Sequence, residues 1–364
     1  MRFLTYFLTI LVVTFSSSAD DTTTNNWLNR QALDSFLEDA TAKGFAGVVG
    51  LSDADGTLYV RGFGTAAEAT PYNERTIADI ASITKQFTGA AILRLQEQGK
   101  LKLRDRLGVF FPKAPDDKAA ITLHQLLTHT AGFPDVIGRD DEAIDRAAYI
   151  ARAFAGPLDF TPGTKYEYSN VGYSILAAVI EIASGQDYEI YLFENLWKPA
   201  GMFNTGYYRP DWCDHTLPRL KAPVHGMFTA KEVLDRTRGD SWHLYGNGGV
   251  LSTAGDMLRW HRALLGNKIL SAASRKLLFT PHVPEDKEGV YHYGYGWSVV
   301  PNYKGKKLVW HNGGSYFSRA EFWRFTDDGT AFFIASHNRA IEPYIIADGL
   351  AQILLGQTPA AINP

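Results

Sequence analysis

The sequence predicts an α/β protein of the α+β type, with an antiparallel sheet flanked by helices and an inserted all-helical region. Three observations support this fold class. Strand-like runs occur near the start of the chain, at residues 45–63, and again after residue 290. Helical patterns with long loops occupy most of residues 76–282 between them. Strands from two distant segments, separated by helices, are typical of a single antiparallel sheet covered by helices.

The N-terminal part of the sheet is predicted as one helix followed by a hairpin. The segment "QALDSFLEDATAK", residues 31–43, has the apolar spacing of a helix and ends before Gly44. Two β-rich runs follow, "FAGVVGLSD" and "TLYVRGF", which are joined through Ala54-Asp55-Gly56. Because an Asp-Gly pair between such runs is a hairpin signal, we expect two adjacent antiparallel strands here.

The middle of the chain is predicted to be mainly helical. The candidate helices are 82–98, 122–130, 143–154, 171–184, 187–198, 253–265 and 271–279. In the first of these, an apolar stripe runs from Ile83 to Leu95, and Gly99 is placed to end the helix.

Strand patterns return near the C-terminus. The runs are "YHYGYGWSVV", "KKLVWHN", "RAEFWRF" and "TAFFIASH", and "EPYIIADGLAQILLG" then forms an amphipathic helix. The resulting domain prediction is a discontinuous sheet domain, residues 20–75 and 283–364, and a mainly helical domain, residues 76–282.

The first 19 residues are predicted to be a signal peptide. Arg2 gives a positive start, residues 3–15 are mostly apolar, and small residues occupy positions 17–19. The apolar run is too short to span a bilayer, so no stable membrane insertion is expected after its removal. We therefore expect a secreted or periplasmic protein that begins near Asp20. Cys213 is the only cysteine, which excludes an internal disulfide.

Composition excludes several classes of function. The 364 residues are 45% hydrophobic and 21% charged, as in ordinary globular proteins. The net charge of −3 offers no basic surface, so no nucleic-acid partner is expected. The histidines show no metal-ligand spacing, and no metal is expected. The expected partner is a small-molecule or peptide substrate, and the oligomeric state stays open.

The pair Ser82 and Lys85 is the first candidate for chemistry. A spacing of three places both side chains on one face of a helix, at its N-terminus. The positive end of the helix dipole and burial both disfavour a protonated lysine, and a neutral amine is able to take a proton from a hydroxyl. The alternative is a serine that caps the helix beside a solvated lysine. Both residue types are common, so the motif by itself does not decide between the two.

Two further motifs each occur twice. Tyr-x-Asn is found at 168–170 and 245–247, and His-x-Gly is found at 292–294 and 311–313. For each tyrosine and asparagine the alternative role is packing, capping or turn formation. His311 stands at the end of a predicted strand and is followed by two glycines, where backbone is able to approach a ligand.

In the order Ser82-x-x-Lys85, Tyr168-x-Asn170 and His311-x-Gly313, these motifs resemble those of the serine β-lactamase and penicillin-binding-protein superfamily. The segments "ITLHQLLTHTAGFP", "PGTKYEYSNVGYSIL", "GNGGVLSTAGDMLRW" and "YGYGWSV" resemble its class C β-lactamase-like branch. That branch includes family VIII esterases, D-aminopeptidases, DD-carboxypeptidases and LACTB-like proteins. The resemblance covers essentially the whole chain after the signal peptide, and it selects Tyr168 and His311 over their second copies.

The resemblance implies a set of roles. Ser82 would be the nucleophile, and Lys85 and Tyr168 would carry its proton, with the division of the base role left open. Asn170 would hold a carbonyl or amide of the substrate, and the backbone N–H groups of Ser82 and Gly314 would form the oxyanion hole. His311, Asn312 and Gly313 would line the substrate site. No metal or organic cofactor is implied.

Two departures from the family pattern bear on the substrate. His311 replaces the lysine that the resemblance leads us to expect, and it need not be charged at neutral pH. Asn312 replaces a threonine. Since both changes weaken the recognition of a carboxylate, the sequence favours ester or unusual amide substrates, with an esterase or D-amino-acid peptidase activity. β-lactamase or DD-carboxypeptidase activity is the alternative, and a non-catalytic recognition module is the alternative of another class.

Overall fold

The computed structural model describes residues 30–53, 56, 58–66, 71–207, 219–222, 226–229, 241–316 and 318–362. The predicted signal peptide at residues 1–19 and the single cysteine, Cys213, lie outside the described residues. Within those residues, no helix has both the length and the apolar character needed to cross a membrane.

An antiparallel sheet of eight strands forms the centre of the fold, as the sequence predicts. In spatial order its strands are β2 (Leu58–Phe63), β1 (Gly47–Ser52), β12 (Thr330–Ser336), β11 (Arg319–Phe325), β10 (Lys306–Gly314), β9 (Ser298–Tyr303), β8 (His292–Tyr293) and β7 (Val283–Pro284). The N-terminal hairpin therefore joins the C-terminal strands through the pairing of β1 with β12.

The described helices precede, interrupt and follow the strands. They are α1 (Arg30–Ala42), α2 (Lys85–Glu97), α3 (Leu107–Phe110), α4 (Asp116–Ala119), α5 (Leu123–Leu127), α6 (Arg146–Ala155), α7 (Asn170–Ser184), α8 (Tyr188–Leu192), α9 (Lys198–Ala200), α10 (Ala254–Leu265), α11 (Ala272–Leu278) and α12 (Pro343–Leu354). A 3-10 turn, Ala81–Thr84, leads into α2, and a π-helical turn, Phe193–Trp197, connects α8 to α9.

The expectation of an all-helical middle region is wrong. Two short antiparallel strand pairs lie within it, β3 (Ile77–Asp79) with β6 (Leu251–Thr253), and β4 (Arg219–Ala222) with β5 (Gly226–Thr229). Strands of three or four residues are too short to show alternation, so periodicity did not reveal them, and β3 in addition pairs with a segment far away in the sequence. The first pair holds the chain that leads directly into Ser82.

The two faces of the sheet have separate cores. On β11, Trp323 and Phe325 face an outer core that is covered by α1 and α12. Phe322 faces an inner core that continues without a break into the helical region. Helix α10, which the sequence assigned to the helical domain, packs directly against β1 and β12. The predicted domain boundaries at residues 75 and 283 stay a prediction, and the two regions share one hydrophobic core.

Candidate active site

Ser82 lies in the 3-10 turn between β3 and α2, one residue after a strained position. Ala81 has a φ of +44°, which side chains other than glycine rarely adopt. The carboxylate of Asp79 accepts a hydrogen bond from the Ala81 N–H at 2.8 Å and so stabilises this turn. The turn leaves the Ser82 side chain partly exposed at the edge of the inner core, where a substrate is able to reach it.

Lys85, the first residue of α2, is fully buried beside Ser82. Its Nζ lies 3.2 Å from Ser82 Oγ, 2.6 Å from Asn170 Oδ1 and 2.8 Å from the backbone oxygen of Asn247. Burial lowers the pKa of Lys85 to about 7, and the negative charges of Asp135 and Asp140 partly oppose this shift. A substantial share of the amine is therefore uncharged at neutral pH.

The uncharged amine has its hydrogen bonds arranged so that its lone pair meets Ser82. A neutral lysine carries two N–H donors and one lone pair. Two of its three partners, Asn170 Oδ1 and the Asn247 carbonyl, only accept hydrogen bonds, so they take both donors. The lone pair then points towards Ser82 Oγ, in position to accept the hydroxyl proton.

Asp135 sets the orientation of the Asn170 side chain. Asn170 Nδ2 donates to Asp135 Oδ1 at 2.8 Å, and the backbone N–H of Asn170 donates to the Asp135 carbonyl oxygen at 3.1 Å. Because a carboxylate only accepts, the amide nitrogen must face Asp135 and the amide oxygen must face Lys85. The amide oxygen of Asn170 is thus bound to Lys85, while the second hydrogen of Nδ2 is available to a substrate.

Tyr168 reaches the same place from the loop before α7. Its ring centre lies 4.7 Å from Lys85 Nζ, and its hydroxyl interacts with the side chain of Ser82. Burial raises the pKa of Tyr168 well above its usual value, and the Ser82 contact offsets only part of that shift. The phenol therefore keeps its proton at neutral pH.

His129 supports this loop and was missed as a functional candidate. It is buried, its ring lies 4.3 Å from that of Tyr168, and Nδ1 accepts the backbone N–H of Ser169 at 3.0 Å. Its φ of +56° is again unusual for a residue other than glycine. Its position in "THTAGFP", one of the segments that resemble the family, was the available signal.

The second Tyr-x-Asn copy also contributes to the site, but through its backbone. The carbonyl of Asn247 binds Lys85, whereas its side-chain nitrogen donates into the protein, to Ser174 Oγ and to the His243 carbonyl, both at 2.7 Å. Tyr245 stacks between Trp242 and Tyr207. Side-chain motifs do not indicate a backbone carbonyl ligand, so no pattern in the sequence placed this copy at the site.

His311 lies on the inner face of β10 and is neutral. The backbone carbonyl of Asn312 must accept from Nδ1, at 2.6 Å, which leaves Nε2 to accept the hydroxyl of Tyr293 at 3.0 Å. Burial, together with the positive charge on Lys85, lowers the pKa of His311 to about 3. It supplies no cation, and both ring nitrogens are engaged within the protein.

The residues after His311 alternate between the two faces of the sheet. Asn312 is exposed, and strand alternation places its side chain on the face opposite to His311 and Ser82. Gly313 passes close to the Ser82 turn, since a Cβ at this position would lie 2.1 Å from the carbonyl oxygen of Ile80. Gly314 follows as the last residue of β10, and it is exposed. The structure thus brings Ser82, Lys85, Tyr168, Asn170 and the β10 end together, and it directs Asn312 away.

Comparison with known proteins identifies the family. The family model described as Beta-lactamase matches residues 31–354. The chain belongs to this family. Penicillin-binding protein 4* of Bacillus subtilis is 28% identical over 336 residues, which are 86% of this chain and 73% of that relative.

Solved structures of the family have the same fold. An octameric penicillin-binding protein homologue from Pyrococcus abyssi has a TM-score of 0.78 at 25% identity, and the match covers 91% of this chain and 78% of that chain. A D-amino acid amidase from Ochrobactrum anthropi, in complex with D-phenylalanine, has a TM-score of 0.76 at 20% identity, covering 90% and 98% of the two chains. The mixed fold with its antiparallel sheet, expected from the resemblance, is confirmed.

Two carboxyl groups act on the charge of the buried lysine, and a third acts on one of them. Asp135 and Asp140 both act on the charge of Lys85, and Asp79 acts in turn on Asp140. Burial, together with the neighbouring carboxylates Asp79 and Asp141, raises the pKa of Asp140 to about 6. None of the three was a candidate in the sequence, since aspartates outside a recognised motif carry no signal of their own. They give the site an acidic character, and the described residues contain no cluster of histidine, cysteine or acidic side chains suited to a metal ion.

Proposed function

We propose that this chain is a serine hydrolase that cleaves ester or amide bonds through an acyl-enzyme on Ser82. The observation that carries the proposal is the contact between Lys85 Nζ and Ser82 Oγ at 3.2 Å, made by an amine that is fully buried. A lysine kept for structure alone has no need to be desolvated beside a hydroxyl. Membership in the Beta-lactamase family supports the same activity.

Lys85 is assigned the role of general base, and Tyr168 that of proton carrier. The pKa of Lys85, about 7, lies near the working pH, where a general base is most effective. The pKa of Tyr168 is raised, so its phenolate is scarce at that pH. The neutral phenol is nevertheless able to pass a proton, because its hydroxyl both donates and accepts.

The reaction then proceeds in two balanced steps. Ser82 Oγ attacks the substrate carbonyl while its proton moves to Lys85 Nζ, and the oxyanion is stabilised by the backbone N–H groups of Ser82 and Gly314. The C–O or C–N bond breaks, and the leaving group takes a proton through Tyr168, which is replenished from Lys85. A water molecule then loses a proton to Lys85 and Tyr168 and attacks the carbonyl of the acyl-enzyme. The ester bond to Ser82 breaks, Ser82 Oγ takes that proton back, and the acid is released.

The substrate is proposed to carry an amino group on its acyl part, as D-amino-acid amides and esters do. Asp135 and Asp140 place negative charge near Lys85 and thus near Ser82, and His311 provides no positive charge to oppose it. An ammonium group is attracted to such a site, whereas the carboxylate of a β-lactam or a D-alanyl peptide is repelled. An acyl part with an amino group favours esterase or D-amino-acid peptidase activity over β-lactamase or DD-carboxypeptidase activity.

A fluorophosphonate probe tests the nucleophile. We expect the wild-type protein to be labelled and Ser82→Ala to stay unlabelled, with Ser315→Ala, on the loop after β10, as a labelled serine control. Labelling that persists in Ser82→Ala would remove Ser82 from the mechanism. A folded wild-type protein that binds a substrate analogue without labelling or turnover would support the non-catalytic recognition module instead.

A matched substrate panel tests the acyl group. D-Alanine p-nitroanilide is compared with its N-acetyl form, which lacks the positive charge and carries an added acetyl group. p-Nitrophenyl acetate, nitrocefin and a D-Ala-D-Ala peptide complete the panel. We expect the free amine to raise kcat/KM about tenfold or more over the acetylated form, the equivalent of one favourable charge contact. A dominant nitrocefin or D-Ala-D-Ala signal would overturn the assignment.

We also propose that residues 1–19 direct export, so that the enzyme acts in the periplasm or outside the cell. The charged start, the apolar run and the small residues that follow support this. N-terminal sequencing of the exported protein is expected to start near Asp20. A protein that stays in the cytoplasm with Met1 intact would contradict the proposal.

A further inference from the structure

A cavity lies between helices α10 and α11 and the inner face of the sheet, and its lining includes none of the residues assigned to the catalytic site. Its volume is about 560 Å³, within the range of small-molecule sites. Its wall combines apolar side chains with four cationic residues, Arg275, Lys276, Lys307 and Arg324. No aspartate or glutamate is among the described residues that line it. The cavity is therefore strongly positive without a matching acidic group in its wall.

Arg324 is the unusual member of this set. It projects from β11 into the inner core, is 0% exposed, and neither Nη1 nor Nη2 donates a hydrogen bond to any residue that the structure describes. Its guanidinium lies 4.9 Å from the ring centre of Phe279 and 5.2 Å from that of Trp297. These aromatic faces recover only part of the cost of burying the charge, because four N–H groups stay unsatisfied.

The single hydrogen bond of Arg324 goes to a neutral group. Its Nε donates to His261 Nδ1 at 3.0 Å, and His261 Nε2 donates to the carbonyl oxygen of Gly329 at 2.8 Å. This pattern requires the neutral imidazole, and the pKa of His261 is lowered to about 3 by burial and by Arg324. The histidine thus fixes the edge of the guanidinium that faces away from the cavity, and it adds no negative charge.

The other cations surround the opening. Lys307 Nζ donates to the Phe279 carbonyl at 3.0 Å, and Arg275 donates to Asn267 Oδ1 and to the Leu270 carbonyl. The nearby carboxylate of Asp327 accepts from the backbone N–H of Lys307 at 3.1 Å and is not part of the cavity wall. Burial lowers the pKa of Lys307, and the charge of Asp327 partly opposes this.

We propose that this cavity is a binding site for a phosphate monoester, whose dianionic head accepts from Arg324 and Lys307. The free Nη1 and Nη2 edge of the Arg324 guanidinium matches two oxygens of a phosphate group. Lys307 would gain in the phosphate a stronger hydrogen-bond acceptor than the Phe279 carbonyl. The apolar lining from Leu264, Phe279 and Pro281 suits the organic part. The site is distinct from the catalytic one in its lining, since none of the residues that line the cavity is among those assigned to catalysis.

Phenyl phosphate is the probe, and binding is measured by calorimetry and by the shift in Tm at constant ionic strength. We expect saturable binding to the full-length wild-type protein and an unchanged Kd in Ser82→Ala. Benzoate, with one negative charge on a similar ring, is expected to bind at least tenfold more weakly. Loss of binding in Ser82→Ala would place the anion in the catalytic site, and equal binding of benzoate would remove the dianion preference. Either result would overturn the proposal.

Variants locate the site. Arg324→Met is expected to abolish the ligand-induced rise in Tm, and Lys307→Met to weaken binding tenfold or more. Lys113→Met, outside the cavity wall, serves as the matched control and is expected to bind as the wild type does. If Arg324→Met does not fold, Lys307→Met and Lys276→Met carry the test. Equal affinity in Lys307→Met, Lys276→Met and the control would mean an adventitious ion only, and the proposed site would be rejected.

Discussion

The side-chain oxygen of Asn170 lies 2.6 Å from Lys85 Nζ, closer to the amine than the hydroxyl of Ser82 at 3.2 Å. Asp135 holds the other end of the same amide. Asn170 therefore also binds the amine of Lys85, in addition to its predicted role of holding the substrate. As a neutral acceptor, it occupies one N–H of the lysine and leaves the positive form of the amine without a carboxylate in direct contact.

Replacing this neutral acceptor with a charged one is expected to shift the pH profile upwards. Asn170→Asp places a carboxylate beside Lys85, which favours the ammonium form and raises the pKa of Lys85. The acidic limb of kcat/KM, near pH 7 in the wild type, should therefore move to higher pH. A pH series with a p-nitrophenyl ester measures the shift. Asn195→Asp, on the helical surface, controls for added charge, and an unmoved limb in Asn170→Asp would contradict the assignment of Lys85 as base.

Removing a distant carboxylate is expected to have the opposite effect. Asp140 stabilises the ammonium form of Lys85, so Asp140→Asn should lower the pKa of Lys85 further and move the acidic limb to lower pH. The same pH series measures this change. Asp39→Asn, whose carboxylate pairs with Lys43 at 2.8 Å on helix α1, is the control and should leave the limb in place. Equal shifts in both variants would indicate a general effect of surface charge.

Loss of the Tyr168 hydroxyl is expected to affect amides more than esters. Tyr168→Phe removes the group that delivers a proton to the leaving group, and an amine needs that proton whereas p-nitrophenolate does not. We expect kcat/KM for a p-nitroanilide to fall by about 10²–10⁴, and that for the matching p-nitrophenyl ester to fall less. Tyr166→Phe, on the same loop, is the control. An equal loss for both substrates would favour a structural role for the hydroxyl.

A methyl group at Gly313 is expected to disturb the nucleophile more than the fold. The new Cβ would lie 2.1 Å from the Ile80 carbonyl oxygen, so β10 or the Ser82 turn must move. Gly313→Ala should destabilise the protein by about 1–3 kcal/mol, as overpacking does, and reduce the rate of labelling of Ser82. Thermal unfolding and probe kinetics measure the two effects. Gly266→Ala, where a Cβ meets nothing within 4 Å, is the control, and wild-type labelling by Gly313→Ala would show that this contact does not position Ser82.

Most of the fold was predictable because its signals are local. The strands β10 to β12 follow runs of alternating or aromatic residues, and α7 and α10 follow amphipathic patterns bounded by Ser169 and Thr253, which cap them. The pairs β3–β6 and β4–β5 were not predictable, since their strands have only three or four residues, and β3 also pairs with a distant segment. The break between β8 and β9 was also missed. Gly296, at φ +79°, turns the chain there against the Lys85 carbonyl, which is a contact between distant segments.

The sequence by itself determined the order of the three motifs, the family they resemble and the helical register that brings Ser82 to Lys85, because these depend on residues close together in the chain. Only the tertiary structure decided that Asn247 serves through its carbonyl, that Asn312 faces the opposite side of the sheet, and that Asp135 and Asp140 act on the charge of the lysine. It also decided that Arg324 is buried with no acidic partner among the residues that the structure describes. Burial, desolvation and the distances between charges depend on how segments far apart in sequence pack together, and no short stretch of residues records that packing.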